Sequence, residues 1–351
     1  MAYIYIILFL VITSILFWFL QNLSSNKKSF KNSFLLLAFF VLASFMGLRM
    51  NNVGYDTEGY YMIFNYISRL PLYSVLADDY IANVEWFYAL LNKLSSLLMD
   101  DYYLFQMFVS FAFCLGMMNF IKLNTKSYIF STFLFLGTGL YILAFNIARQ
   151  CLAIAICCYG YQFLKEDKKI PLALCILLAY AIHHTAVIFL VVVLLYKFRH
   201  IKILPVLFPL ALFVGFLSFR FLLIIFLQYF PEYAGFLNDN ERISLGFIVA
   251  VWALESFLAL NLFFGKNRDN MFIAMMVVLY IFFTVMGTYI SYMERVALYF
   301  SPFVIVMFDI MARKFRQISV RYAFFIFTVI GFLVMFYITT TPKEMTYSTF
   351  L

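Results

Sequence analysis

The sequence has few charged residues. Asp, Glu, Lys and Arg make up only 12% of it, against roughly 25% in soluble domains. Hydrophobic residues make up 66%, more than a water-soluble fold could bury. Apolar runs of about 20 residues, the length that crosses a hydrocarbon core about 30 Å thick, recur from end to end. The sequence therefore predicts an all-α polytopic integral membrane protein, with residues 1–351 as a single transmembrane domain.

Metal-ligating residues are also scarce. The five cysteines fall within apolar helical patterns, and their spacing is not typical of a metal site or a disulfide framework. The three histidines are His183, His184 and His200, and the last is in a different predicted loop. We therefore expect no metal and no cofactor. Residues 1–20 lack a basic leader and a small-residue cleavage site, which predicts a span that is retained.

Polar breaks divide the chain into about twelve candidate transmembrane helices. For residues 170–196, which give two short spans, a single long tilted helix is the alternative. No internal repeat stands out, which argues against a transporter built from inverted repeats. The candidate spans cover residues 3–20, 33–48, 102–121, 128–145, 149–164, 170–182, 185–196, 203–219, 244–264, 271–290, 296–312 and 322–340.

The distribution of basic residues predicts the orientation in the membrane. Most of them lie in alternate short loops, such as those around Lys27, Lys122, Lys165 and Lys197, which the positive-inside rule places in the cytoplasm. Both termini and a large loop after the second span, residues 49–101, are then extracytoplasmic. The same rule explains the net charge of +8 without a nucleic-acid partner.

This extracytoplasmic loop contains an amphipathic segment, residues 84–98. Its apolar side chains, from Trp86 to Leu98, share one helical face, whereas Glu85 and Lys93 lie off that face. The pattern predicts either an interfacial helix on the outer leaflet or a helix packed on the spans.

Five arginines lie at or near helix ends on the predicted outer side: Arg49, Arg149, Arg220, Arg242 and Arg295. A guanidinium group binds phosphate through paired hydrogen bonds, and its burial near lipid is costly unless it faces a cavity or a partner. All five are therefore candidate ligands of a substrate diphosphate. The alternatives are that they reach lipid headgroups or pair with adjacent acids.

Arg149 is the strongest candidate of the five. It shares a helical turn with Asn146 and Gln150, between apolar residues. The small residues Ala153 and Ala155 follow, and they allow close helix packing.

The remaining candidates are histidine and acidic residues. An imidazole can take a proton from a sugar hydroxyl, so the pair His183 and His184 is a candidate for acceptor activation, with a structural hydrogen bond as the alternative. Glu255 lies within a predicted span, where it is either functional or the neutraliser of a buried arginine. The predicted outer segment after Arg49 contains two carboxylates among aromatic residues: Asp56, Glu58, Tyr60 and Tyr61. Such a group can bind sugar hydroxyls by hydrogen bonding and ring stacking. The alternative is an ordinary polar loop.

At these residues the chain resembles the EpsG-like, Wzy-type family of bacterial O-antigen, capsule and exopolysaccharide polymerases. The resemblance covers roughly residues 49–190, and the family often has Ser at the position of Thr185, which retains the hydroxyl. It rests on Gly54-Tyr55-Asp56 with the following Tyr60-Tyr61, on Arg149-Gln150 opening a span, and on the step His183-His184-Thr185.

The resemblance implies a GT-C-like helical bundle in the bacterial cytoplasmic (inner) membrane, acting as a metal-independent glycosyltransferase. It implies polymerisation of undecaprenyl-diphosphate-linked oligosaccharide repeat units into a surface polysaccharide at the extracytoplasmic face. Arg149 and Arg295 would stabilise charge on the leaving diphosphate, and His184 would deprotonate or orient the acceptor hydroxyl. Asp56 would hold the sugar or the histidine. The residues expected to contact the sugar are Glu58, Tyr60, Tyr61, Gln150 and His183.

The expected partners are the lipid-linked oligosaccharide and membrane lipid, with a chain-length regulator left open. Two other functions also stay open. A flippase or transporter of lipid-linked oligosaccharide would have more charged residues on facing spans. A membrane O-acyltransferase would need an acyl-donor site that is reachable from the cytoplasm.

Overall fold

A computed structural model describes residues 2–23, 27–75, 77–78, 84–229, 245–287, 290–339 and 347–350. Within these ranges the regular secondary structure is helical, apart from isolated β-bridge residues, among which Arg49 pairs antiparallel with Thr349. The all-α prediction is therefore confirmed. The helices are α1 (Ala2–Leu23), α2 (Lys27–Gly47), α3 (Thr57–Arg69), α4 (Trp86–Leu98), α5 (Tyr102–Asn124), α6 (Tyr128–Gly137), α7 (Leu140–Leu143), α8 (Ala148–Lys165), α9 (Lys169–Ile182), α10 (Phe189–Phe198), α11 (Leu204–Tyr229), α12 (Leu245–Phe263), α13 (Arg268–Gly287), α14 (Ser291–Ala297), α15 (Ser301–Lys314) and α16 (Ile318–Thr339).

Several of these helices have the length and the apolar composition that a membrane span needs. Among the described residues, four do so by both criteria: Tyr3–Leu20, Ser29–Gly47, Tyr102–Asn124 and Arg268–Gly287. Shorter apolar helices cover Tyr128–Gly137, Lys169–Ile182, His184–Phe198, Leu204–Ser218, Val251–Phe263 and Ile318–Val334. These are the helices of a multi-pass membrane protein, whereas the count of twelve spans stays a prediction.

Two breaks in the helices matter for the site: one lies between the predicted spans 170–182 and 185–196, and the other divides the predicted span 128–145. α9 ends at Ile182 because His183 adopts an extended conformation, with φ −156° and ψ 116°, so residues 170–196 are not one helix. The predicted span 128–145 is divided at Gly139, whose φ of +77° favours glycine and separates α6 from α7.

The chain divides into two compact units, Met1–Val187 with Arg316–Leu351, and Ile188–Phe315. In the first unit, α5 packs against α2 and α8, and α8 packs against α9. A Cβ atom on Gly116 of α5 would lie 2.7 Å from Cβ of Ala155 on α8. The two helices approach this closely only because one residue has no side chain and the other has a methyl group.

Helix α4 of the first unit turns its polar face toward the protein and its apolar face outward, which is the reverse of a surface helix in a soluble protein. Asn92 and Lys93 are buried, and Lys93 donates a 2.9 Å hydrogen bond to the carbonyl of Ser68. Leu97 and Leu98 are 61% and 83% exposed. The polar face thus packs on the protein, and the apolar face is left uncovered by the first unit.

In the second unit, α13 packs against α10, α12, α14 and α15. Its buried face is formed by flexible and aromatic side chains, including Met271, Phe272 and Met275. On α15, the buried carboxylate of Asp309 accepts a 3.0 Å hydrogen bond from Nε of Arg313, one helical turn later. This pair provides the buried acid with a charged partner.

Candidate active site

The carboxylate of Glu85 joins Arg149 and His183 in the first unit. Oε2 of Glu85 accepts a hydrogen bond from Nη1 of Arg149, and Oε1 accepts one from Nδ1 of His183. Glu85 is 8% exposed, so both of its oxygens are occupied in a mostly buried setting. These three residues, which we call the Glu85 cluster, bring one anion, one fixed cation and one titratable ring together.

Each member of the Glu85 cluster lies at the end of a helix. Glu85 immediately precedes α4, Arg149 is the second residue of α8, and His183 follows the last residue of α9. Helix ends leave main-chain N–H and C=O groups without intrahelical partners, and these groups are available to a polar ligand. A cation at a helix N-terminus opposes the helix dipole, and the Glu85 carboxylate offsets this cost for Arg149.

Two tyrosine rings flank the guanidinium of Arg149. Its Cζ lies 5.8 Å from the ring centroid of Tyr60 on α3 and 5.8 Å from that of Tyr88 on α4. A cation above an aromatic face is stabilised by the ring quadrupole, and more so where water is excluded. Nε of Arg149 is buried and has no hydrogen-bond partner among the described residues. The guanidinium is therefore held in place with part of its donor capacity unused.

The electrostatics keep the carboxylate charged and the tyrosines neutral. Burial of the Glu85 carboxyl raises its pKa, but the hydrogen bond with His183 and the charge of Arg149 outweigh this effect, and the pKa falls to about 2. Burial raises the pKa of Tyr60 and of Tyr88, and Arg149 opposes that rise in both cases. Near neutral pH, Glu85 is an acceptor only, and the two phenols keep their protons.

The loop before α3 is fastened to the segment before α8. The backbone N–H of Tyr55 donates a 2.7 Å hydrogen bond to Oδ1 of Asn146, and Oγ1 of Thr57 donates one of 2.9 Å to the carbonyl of Phe145. Gly54 has a φ of +102°, and a Cβ atom there would lie 2.8 Å from Oδ1 of Asn146. Only glycine fits this turn, so two segments 91 positions apart form one rigid base for Arg149.

Arg49 is also part of this base, and it is only 1% exposed. Its guanidinium donates hydrogen bonds to the carbonyls of Met46 and Phe145 and lies 4.8 Å from the ring centroid of Phe145. A small cavity separates Arg49 from the tyrosines that flank Arg149; its lining includes Tyr60, Tyr88 and Gln106. Arg49 thus connects chain segments, and its predicted contact with a diphosphate stays a prediction.

Residues 347–350 cover the end of α2 beside Arg49. Tyr347 stacks on Phe45 with ring centroids 4.0 Å apart, and its hydroxyl donates a 2.6 Å hydrogen bond to the Phe45 carbonyl. Phe350 stacks on Tyr103 at 4.4 Å. The C-terminal residues therefore help to fix the position of Arg49.

The other residues predicted to contact substrate are divided between the surface and the core of the first unit. Asp56 and Glu58 are exposed at the start of α3, and Gln150 is buried on α8. Tyr61 packs edge-on against Tyr102, with centroids 5.4 Å apart. His184 is exposed and its ring packs against Tyr180 at 5.0 Å, outside the Glu85 cluster. The roles predicted for these five residues stay predictions.

The three remaining arginines belong to the second unit of the chain. Arg220 lies on α11, with only its backbone described, and Arg242 lies outside the described residues. Arg295 on α14 is exposed, and its Cζ lies 5.5 Å from the ring centroid of Tyr292. Their predicted contacts with diphosphate also stay predictions. Among the described residues of the whole chain, no three His, Cys, Asp or Glu side chains gather as they would around a metal.

Sequence reasoning missed Glu85 as a member of the site. The amphipathic pattern placed it off the apolar face of its helix, as one polar residue among several. One available signal was its position directly before an apolar helix, in a segment between two predicted spans that is rich in tyrosine. Its two partners, 64 and 98 positions away, leave no trace in the local pattern.

The EpsG family model matches residues 32–350, which is most of the chain and includes the whole Glu85 cluster. No curated protein and no solved structure matches the chain. The chain therefore belongs to the EpsG family, whose members are membrane proteins of polysaccharide biosynthesis.

Proposed function

We propose that this protein polymerises undecaprenyl-diphosphate-linked oligosaccharide repeat units into a surface polysaccharide at the extracytoplasmic face of the bacterial cytoplasmic membrane. The observation that carries the proposal is Arg149: a guanidinium flanked by two tyrosine rings, paired with a buried carboxylate and joined through it to a histidine. Family membership supports the same activity class. The twelve-span, GT-C-like topology, with residues 49–101 outside, is part of the proposal.

In the proposed reaction the acceptor hydroxyl oxygen bonds to the anomeric carbon of the donor glycan, and the anomeric carbon–oxygen bond to the diphosphate breaks. The acceptor proton passes to a histidine base and then to water or to the released diphosphate. Negative charge grows on the leaving diphosphate. A preorganised guanidinium stabilises that charge without reorganisation during the reaction.

Arg149 suits this role because it can add a ligand without losing its fixed position. A guanidinium has five N–H donors, of which Glu85 occupies one at Nη1, and Nε has no partner among the described residues. The aromatic flanks hold the group while a phosphate approaches. Lysine, with a single ammonium group, could not keep the Glu85 contact and bind a phosphate in the same geometry.

The experiment is a gel ladder of surface glycan from a deletion strain that is complemented at matched expression. Wild type should give long chains, and Arg149→Ala and Arg149→Lys should both collapse the ladder to single repeat units. Arg316→Ala removes an exposed arginine from a loop and serves as the matched control, with a normal ladder. Loss of all surface glycan, with lipid-linked units trapped inside, would instead indicate a flippase and overturn the proposal.

A further inference from the structure

The Glu85 cluster distinguishes the two adjacent histidines. Nδ1 of His183 is hydrogen-bonded to Glu85, and His183 side-chain exposure is 17%. His184 is exposed and packs on Tyr180, and no carboxylate lies within 4 Å of it among the described residues. Only His183 is therefore held by an acceptor that fixes its ring.

The Glu85 contact also determines which nitrogen of His183 carries the hydrogen. An ionised carboxylate only accepts hydrogen bonds, so Nδ1 must be the donor of the pair. In a neutral imidazole the other nitrogen, Nε2, then has a free lone pair. Among the described residues nothing occupies Nε2, and it is the atom that can accept a proton from a ligand.

Arg149 in turn fixes Glu85. The guanidinium binds the second carboxylate oxygen, so the carboxylate cannot rotate away from His183 without losing a largely buried ion pair. Breaking such a pair by removing one partner leaves an uncompensated charge. The chain of contacts thus runs from the diphosphate ligand Arg149, through Glu85, to the ring of His183.

We infer that His183, rather than His184, is the base that takes the proton of the acceptor hydroxyl, and that Glu85 is the positioning residue that holds it. The inference rests on the proposed function and deepens it. When the hydroxyl oxygen attacks the anomeric carbon, Nε2 of His183 receives its proton, and the resulting imidazolium is stabilised by Glu85. The proton then leaves to water or to the diphosphate, which restores the neutral ring.

The charged and titratable groups that face this pair are few. Arg149 approaches from α8, Tyr60 from α3 and Tyr88 from α4. His184 and Tyr180 adjoin it in sequence at the end of α9. The two flanking phenols stay protonated near neutral pH, so among the described residues the charges in direct contact within the cluster are the Glu85 carboxylate and the Arg149 guanidinium. The carboxylate of Asp56 acts on Tyr60 through space.

The first test measures chain extension by the purified full-length protein on its lipid-linked repeat unit, between about pH 5.5 and 8.5. Glu85→Gln should lower kcat by roughly 10²-fold, the usual contribution of acid–base catalysis. KM should change less. Glu85→Asp should recover part of kcat, and His200→Ala, which removes an exposed histidine of the second unit, should match wild type.

The second test does not depend on activity. The chain has three histidines, so His184→Ala combined with His200→Ala leaves His183 as the sole histidine. Nitrogen NMR of the ¹⁵N-histidine-labelled protein in detergent should show the Nδ1–H tautomer. Adding Glu85→Gln should change the tautomer ratio, because the carboxylate that holds the Nδ1 hydrogen is gone. An unchanged spectrum would overturn the positioning role.

The outcomes separate the two levels of the proposal. If wild type extends no chains although the repeat unit and detergent are suitable for a known polymerase, the proposed function fails. If wild type extends chains but His184→Ala abolishes kcat while His183→Ala does not, the assignment of the base is wrong. If Glu85→Gln keeps the wild-type kcat, Glu85 does not position the base.

Discussion

The backbone amide of Tyr55 donates a hydrogen bond to the Asn146 side chain, which ties the loop before α3 to the residues that precede Arg149. Gly54 makes this contact possible, because its φ of +102° and its approach to Asn146 leave no room for a side chain. Asp56, Tyr60 and Arg149 consequently depend on one small turn for their relative positions.

We predict that Gly54→Ala lowers the thermal unfolding midpoint of the detergent-solubilised protein and shortens the glycan ladder. A non-glycine residue in this conformation costs about 1–3 kcal/mol before the steric clash is added. Gly59→Ala is the matched control, since a Cβ there meets nothing within 4 Å and alanine favours helix α3. Equal destabilisation by the two variants would contradict the role of the turn.

The stability conferred by Glu85 should depend on pH in a defined window. Its folded pKa of about 2 lies below the usual value of 4.5, so the folded state favours the charged form. The stabilisation is fully present above the unfolded pKa and is lost as pH falls from about 4.5 to about 2; its size is on the order of 3 kcal/mol. Unfolding midpoints of wild type and Glu85→Gln, measured from about pH 5 to about pH 3, should converge as pH falls through the lower part of this range. A difference that does not shrink between about pH 4.5 and about pH 3 would contradict the lowered pKa.

The C-terminal residues should contribute to the stability of the first unit. Tyr347→Ala removes a stacked ring and a hydrogen bond to a main-chain carbonyl, and we expect a cost of roughly 2–4 kcal/mol. Tyr337→Ala removes a ring that is 69% exposed on α16 and should have little effect. Thermal unfolding in the same detergent compares the two. If Tyr337→Ala proved the more damaging change, the packing of residues 347–350 on α2 would be refuted.

Helix α4 should contact lipid through its uncovered apolar face. The chain has three tryptophans, so Trp18→Phe with Trp252→Phe leaves Trp86, which is 51% exposed, as the sole fluorophore. In proteoliposomes, lipids brominated near the headgroup should quench its emission more strongly than lipids brominated near the chain end, because an interfacial helix lies shallow in the leaflet. Quenching by aqueous acrylamide but not by either lipid would show that this face meets water or protein instead.

The sequence by itself determined that this is an all-α, multi-pass membrane protein, and it determined the approximate bounds of most of its helices. Apolar runs, polar breaks and basic loops are local properties, and each constrains its own segment of chain through solvation and main-chain hydrogen bonding. The interruption of residues 170–196 at His183 was foreseen for this reason, and so was the position of Arg149 at the start of an apolar helix.

Only the tertiary structure determined which residues meet. Glu85 becomes the centre of the site because α4 packs on α9 near the start of α8, and a helical-face pattern compares a residue only with others on its own helix. The same limit applies to the choice between His183 and His184. They are neighbours in sequence, but the extended backbone at the end of α9 brings one ring to a buried carboxylate and leaves the other exposed. Pairings across 64 and 98 positions are set by packing, which acts only after the helices have formed.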